Sequence, residues 1–97
     1  MRLLTKKLKR KIPKLYEQDG LGDNATVYAK LFCPWNHWTW YILEWDRNDT
    51  LFCYVKGDFD EYGYVSVKEL QDIKGPFKLC IERDLYFQPT KLRDLLD

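Results

Sequence analysis

Four tryptophans and a tyrosine fall between positions 35 and 45 of this 97-residue chain: Trp35, Trp38, Trp40, Tyr41 and Trp45. Each such ring buries roughly 150–250 Å² when covered, so the segment forms either the heart of the core or an adhesive surface. Strict alternation over residues 38–45 places Trp38, Trp40 and Ile42 on one face, with Thr39, Tyr41, Leu43 and Trp45 on the other. This is a strand, apolar on both sides, and its place is the middle of a sheet.

The flanking sequence supplies its neighbours. Residues 25–33 alternate, with Val27, Ala29, Leu31 and Cys33 sharing a face, and Pro34-Trp35-Asn36 turns the chain into the tryptophan-rich strand. Asp46-Arg47-Asn48-Asp49 makes a second turn before a strand at 50–55. Short polar connections of this kind predict an antiparallel meander. Residues 62–67 add a further strand or give way to a short helix at Ser66, where Ser66 and Glu69 have capping-box spacing ahead of Leu70. Gly75-Pro76 breaks that element, residues 77–87 read as irregular or strand-like, and Thr90 caps a last short helix through Leu92, Leu95 and Leu96. At the amino end Leu4, Leu8, Ile12 and Leu15 recur at helical spacing, with Thr5 as N-cap and Pro13 as terminator. The expected fold is therefore α+β: one small domain over 1–97, an antiparallel meander sheet of roughly three to five strands, an N-terminal amphipathic basic helix and short C-terminal helices.

Composition suits a single core, with 45% hydrophobic and 16% aromatic residues. No stretch approaches the roughly 18–20 apolar residues that span a bilayer, and the basic amino end lacks the apolar run of a secretory signal. Three cysteines (Cys33, Cys53, Cys80), odd in number and without a C-x-x-C pair, are expected as reduced thiols in a cytoplasmic protein.

A net charge of +1 conceals a split. Residues 1–14 carry seven basic side chains and no acidic one, whereas the remainder holds nine basic and fifteen acidic, a net of −6. Such asymmetry points to an acidic partner met by Lys6, Lys7, Lys9, Arg10 and Lys11, and residues 2–14 are the route by which nucleic acid would be bound directly. Trp35, in a turn rather than a strand, is the tryptophan expected to be exposed. With His37 beside it, Trp35 joins the candidate macromolecule-binding residues.

Catalytic patterns are thin. His37 is the only histidine, and the turn at Pro34 separates it from Cys33, so neither a multi-histidine metal site nor a helical Cys-His pair is available. No phosphate loop, serine elbow or paired-carboxylate motif occurs, and no catalytic residue, metal or cofactor is assigned. Asp58, Asp60, Ser66 and Glu69 fall at EF-hand ligand positions, with Gly63 at the turn. Tyr62 then occupies a ligand position, and the preceding residues read as a strand, so an acidic turn followed by a capped helix is the plainer account. Arg83 alternates onto the apolar side of Ile81, Leu85 and Phe87. A guanidinium there needs partners, which makes Arg83, Asp84 and Tyr86 a candidate ligand-binding group.

Several stretches together resemble a family of short bacterial proteins catalogued as domain of unknown function 2958. They are Leu3-Leu4-Thr5-Lys6, the strand at 27–32, Trp38-Thr39-Trp40-Tyr41 followed by Glu44, the run from Gly63 to Leu70, Gly75-Pro76, and Ile81-Glu82-Arg83-Asp84-Leu85-Tyr86-Phe87. The resemblance covers nearly the whole chain in order. It implies no established activity and no catalytic residues to carry over. Members often occur on plasmids, phages and other mobile elements, which implies an accessory role. The upstream aspartates of the calcium-like loop are not part of the family pattern. This chain departs from that pattern at Cys33, Trp35, His37 and Trp45, and in its more basic amino end.

The leading expectation is a non-enzymatic accessory protein of a mobile element. It would dock, inhibitor-like, on a host or element-encoded protein or nucleoprotein complex, such as a defence or nucleic-acid-processing assembly. The alternatives are a small enzyme or ligand-binding domain around Arg83, Asp84 and Tyr86, and a direct nucleic-acid binder acting through the basic helix. No membrane association is expected, and no oligomeric state is assigned.

Overall fold

Between Thr26 and Ser66 the chain alternates apolar and polar residues with short polar turns. In the computed structural model, which describes residues 2–96, this stretch forms a sheet. Its strands are β1 (Thr26–Val27), β2 (Ala29–Phe32), β3 (Thr39–Trp45), β4 (Thr50–Lys56) and β5 (Asp60–Ser66), joined later by β6 (Glu82–Arg83) and β7 (Thr90–Lys91). The main sheet has the order β5-β4-β3-β2-β6, with every neighbouring pair antiparallel. The four strands from β2 to β5 form the expected meander. β1 and β7 pair separately.

β3 is central and covered on both faces. On one side Trp40, Ile42 and Trp45 join Leu31, Leu51, Cys53 and Val55 beneath Leu3, Leu4, Ile12, Leu70 and Ile81. On the other, Tyr41 and Leu43 pack with Ala25, Val27 and Leu92, beneath the carboxy-terminal 3-10 turn Leu92–Leu95. The first face belongs to the helices α1 (Lys6–Lys11) and α2 (Val67–Asp72).

Trp45 departs from strict alternation. The β3–β4 register shifts between Ile42 and Glu44, a bulge that sets Glu44 opposite Phe52 and Trp45 opposite Leu51. The extra residue moves Trp45 from the face of Tyr41 and Leu43 to that of Trp40 and Ile42. There its indole donates to the carbonyl of Asn48 at 3.0 Å.

The bulge also orients Glu44, the one charged side chain buried among the described residues, at 4% exposure. Its two oxygens accept the backbone N–H groups of Tyr16 (2.9 Å) and Gln18 (2.8 Å). A buried carboxylate is costly without such donors. Tyr16 reaches this geometry at φ 72°, in the left-handed region. Gln18 then acts as a surrogate peptide group, donating to the carbonyls of Thr26 and Leu43 and accepting from the Thr26 amide. Beyond the first residue of β2, which faces Ile42, residues 13–18 thus continue the cover of β3, and Pro13 accepts from the Trp45 amide at 2.9 Å.

The helices are shorter than the apolar spacing implies. Of Leu4, Leu8, Ile12 and Leu15, only Leu8 lies within α1; buried Leu4 and Ile12 flank it. Thr5 caps the start, its hydroxyl accepting from the Leu8 amide at 3.2 Å, and Ile12 ends the helix just before Pro13. The basic helix is one and a half turns anchored at both ends rather than a long amphipathic stripe. Ser66 likewise caps α2 by accepting from the Glu69 amide at 3.1 Å. Asp49 adds to this cap. It receives the Ser66 hydroxyl and the Lys68 amide, which together hold its carboxyl below the usual aspartate range. The chain after Thr90 winds as a 3-10 turn rather than an α-helix.

Two glycines are required by ring packing. A Cβ at Gly57 would lie 2.6 Å from the Trp38 ring, and one at Gly75 would lie 2.5 Å from Trp35. At Gly63 it would meet nothing within 4 Å. Urea denaturation is therefore expected to find Gly57→Ala and Gly75→Ala each destabilising by about 1–3 kcal/mol. Gly63→Ala should be neutral, or stabilising by up to about 1 kcal/mol through the unfolded chain.

Candidate docking surfaces

α1 cannot stand alone. Six residues fall well short of an independently stable helix, and Lys6–Arg10 and Lys7–Lys11 are like-charge pairs at i, i+4. Its position comes from outside. The Arg47 guanidinium donates to the carbonyls of Lys9 (3.3 Å) and Ile12 (2.6 Å), a cationic cap on the helix carboxyl end. Arg47 also lies 5.2 Å from the Trp45 ring centroid, with Lys9 at 5.9 Å. At the amino end Arg83 donates to the carbonyls of Arg2 (2.6 Å) and Leu3 (2.9 Å), while Gln71 accepts from the Leu3 amide at 3.3 Å.

The result is a fixed ridge that exposes Lys6, Lys7, Lys9, Arg10 and Lys11. Ion pairs among the described residues join Lys30 to Asp84 and Lys68 to Asp72, and the His37 ring lies near Asp58. None involves α1. Along one flank runs a groove of about 210 Å³, lined by Thr5, Lys7, Lys11, Tyr28, Arg83 and Gln88 among others. The fold thus brings part of the basic group beside Arg83 and Asp84, which the sequence places some seventy residues away.

Trp35 and His37 lie elsewhere, in the β2–β3 turn at the other end of β3 from Trp45. Trp35 is not the freely exposed aromatic its turn position suggests, because its ring packs on Gly75 and against the core. His37 is exposed, with Nε2 3.2 Å from the Gly57 carbonyl and 3.6 Å from Asp58. Cys33 is buried.

Asp84 accepts from the Tyr86 amide at 3.0 Å and lies 4.0 Å from Lys30. Tyr86 itself stands 91% exposed. The calcium-like set is drawn apart: Asp58 and Asp60 sit at one end of the seven-residue β5, and Ser66 and Glu69 at the other. At about 3.3 Å per residue the two pairs are too far apart to share one ion. No group of three or more metal-ligating side chains gathers among the described residues.

Sequence reasoning missed two features. Arg47 reads as a turn residue, and its capping of a helix end 35 residues earlier in the chain has no local signal. The second is an aromatic cluster on the face opposite the helices. There Tyr62 stacks on Phe52 (centroids 5.8 Å), and Tyr54 and Tyr64 flank the pair at 5.1 Å from Tyr62 and Phe52 respectively. Alternation in Phe52-Cys53-Tyr54 and Tyr62-Gly63-Tyr64 carried that signal. Burial and nearby Asp23 push the Tyr62 phenol above the usual tyrosine range; a hydrogen bond with Tyr16 does the same for Tyr64.

No helix among the described residues is long and apolar enough to cross a membrane. Among known families, residues 3–94 match one, described as a protein of unknown function (DUF2958). No curated protein matches the chain, and no solved structure does.

The two carbonyl bonds give Arg83 a structural task. Arg83→Ala is expected to lower stability by about 1.5–3 kcal/mol in chemical denaturation, the usual worth of hydrogen bonds to a charged group. A residue kept only for a ligand would leave stability unchanged.

Proposed function

The chain belongs to the DUF2958 family, and for this member we propose a binding function without catalysis, in which the α1 ridge docks on an acidic macromolecule. The observation that carries this reading is the absence of any acidic partner for the five α1 cations among the described residues. Its carboxyl end and the residues that lead into it, Arg2 and Leu3, are nevertheless held by guanidinium-to-carbonyl bonds. A loosely attached basic tail would lose conformational entropy on binding; a mounted ridge has already lost it. The remaining chain's net charge of −6 opposes a broad nucleic-acid footprint, so the favoured partner is a protein with an acidic surface, alone or within a nucleoprotein complex. In a mobile element such a module would act as an accessory, inhibitor-like factor on a host or element-encoded assembly.

Direct nucleic-acid binding is the second reading, favoured by the groove in which Lys7, Lys11 and Arg83 converge beside Tyr28. A ligand-binding role for Arg83, Asp84 and Tyr86 would share that groove, but two of its three residues already hold backbone.

Affinity capture from nuclease-treated host lysate separates these readings, with the wild type beside a variant carrying Gln at Lys6, Lys7, Lys9, Arg10 and Lys11. The expected result is a protein retained by the wild type, released by raised salt and lost from the variant. Equal capture by both proteins contradicts the proposal. Labelled DNA or RNA bound with a log K against log salt slope of about −3 to −4, equivalent to some four phosphates, would favour the second reading.

A further inference from the structure

β5 is an open edge. It pairs with β4 through seven consecutive residues without a bulge, and no strand lies on its other side among the described residues. The opposite edge, β6, is only two residues long. Long edges usually carry charged side chains, a proline or a bulge that discourages pairing; Asp60-Glu61-Tyr62-Gly63-Tyr64-Val65-Ser66 has no lysine, proline or bulge, and its two charges, Asp60 and Glu61, sit together at one end.

The hydrogen-bond phase of this edge can be read directly. The Val67 amide donates to the Asp49 carbonyl (2.8 Å), and the Gly57 amide to the Phe59 carbonyl (3.3 Å). With the register constant between them, Glu61, Gly63 and Val65 bond inward to β4. The N–H and C=O groups of Asp60, Tyr62, Tyr64 and Ser66 therefore point outward.

We propose that this edge joins a second copy of the chain, antiparallel about a two-fold axis at Gly63, making one continuous ten-stranded sheet. The strand is self-complementary in that register. Tyr62 faces Tyr64 of the second copy, Glu61 faces Val65, Asp60 faces Ser66, and Gly63 meets itself as a pair without hydrogen bonds. Outward-pointing Asp60, Tyr62, Tyr64 and Ser66 all fall at hydrogen-bonded pairs. No like charges oppose each other, because the acidic ends of the two strands lie apart. Of the antiparallel registers, only this one pairs all seven residues. Tyr62 and Tyr64 are 44% and 56% exposed, and pairing continues the Tyr54–Tyr62 and Phe52–Tyr64 contacts as one aromatic row across the axis. Just beyond the strand ends, the same register brings Phe59, 82% exposed, towards Val67 of the second copy, and Asp58 towards its Lys68. This surface is separate from the α1 ridge, so neither proposal depends on the other.

Sedimentation velocity at about 100 µM, where a dimer with a Kd near 10 µM is mostly paired, should give twice the 11.8 kDa of one chain. Tyr62→Lys with Tyr64→Lys should return the monomer, with its tryptophan circular dichroism intact. Register is read by Gly63→Cys in a Cys53→Ala, Cys80→Ser background, because Cys53 is the β4 partner of Gly63 and could otherwise capture the new thiol within one chain. A non-hydrogen-bonded antiparallel pair has Cα atoms about 4.5 Å apart, within disulfide reach, and Gly63 has room for a Cβ. Mild oxidation should cross-link Gly63→Cys into a covalent dimer, and Glu61→Cys much less. A wild type that stays monomeric at this concentration overturns the proposal. So does a dimer indifferent to the lysines, or one that leaves Gly63→Cys unlinked.

Discussion

The bulge between Ile42 and Glu44 is the point on which the rest of this molecule turns. One extra residue in the central strand sends Trp45 to the helical face and Glu44 to the other. Each then anchors a segment that the sheet alone would not hold. Glu44 gathers the amides of Tyr16 and Gln18, pinning the loop before β1. Trp45 supplies the floor on which Lys9 and Arg47 sit, and Arg47 caps α1. A strict alternation would place Trp45 among the residues of the opposite face and leave α1 without its platform.

The same logic explains why so basic a segment is ordered. Lys6–Lys11 has little helical stability of its own, since its charges repel along the helix and no acidic residue lies in its first turn. Two arginines, from the β3–β4 turn and from β6, tie it down through carbonyl bonds. Those bonds use backbone acceptors and leave Lys6, Lys7, Arg10 and Lys11 outside any ion pair among the described residues, while Lys9 rests on the Trp45 ring. Attachment and surface charge are thus separate properties of one segment, and charge can be removed without undoing the mount. The aromatic edge at β5 is separate again, placed at the far side of the sheet from β6.

Much of the architecture could be read from local pattern because local pattern caused it. Alternation through Val27, Leu31, Trp40 and Ile42 marked the core, polar turns marked the meander, and Thr5 and Ser66 marked helix starts, each by a mechanism acting within a few residues. What escaped was non-local. The bulge has no signature in the tryptophan-rich run, and the side-chain bonds of Gln18 and Arg83 to distant backbone require the fold before they can be seen. Of the candidate site, the basic cluster was visible as composition, and the fold keeps it together. The grouping of Trp35 and His37 with that cluster rested on residue type and the turn position of Trp35, and these two lie at the other end of β3 from Trp45. The closeness of Lys7 and Lys11 to Arg83 could come only from the topology that lays β6 beside β2.

The central claim is that α1 is held by the Trp45–Arg47 platform rather than by its own propensity. Amide hydrogen exchange in wild type and Arg47→Ala tests it most directly. The Lys9 and Ile12 amides, bonded to the Thr5 and Leu8 carbonyls, should exchange about 10- to 100-fold faster in the variant, the equivalent of a charged hydrogen bond worth about 1.5–3 kcal/mol. The Cys53 amide in β4 should be slowed or hastened only as far as global stability changes. Unaltered exchange at Lys9 and Ile12 would mean that the helix holds itself, and would contradict the account.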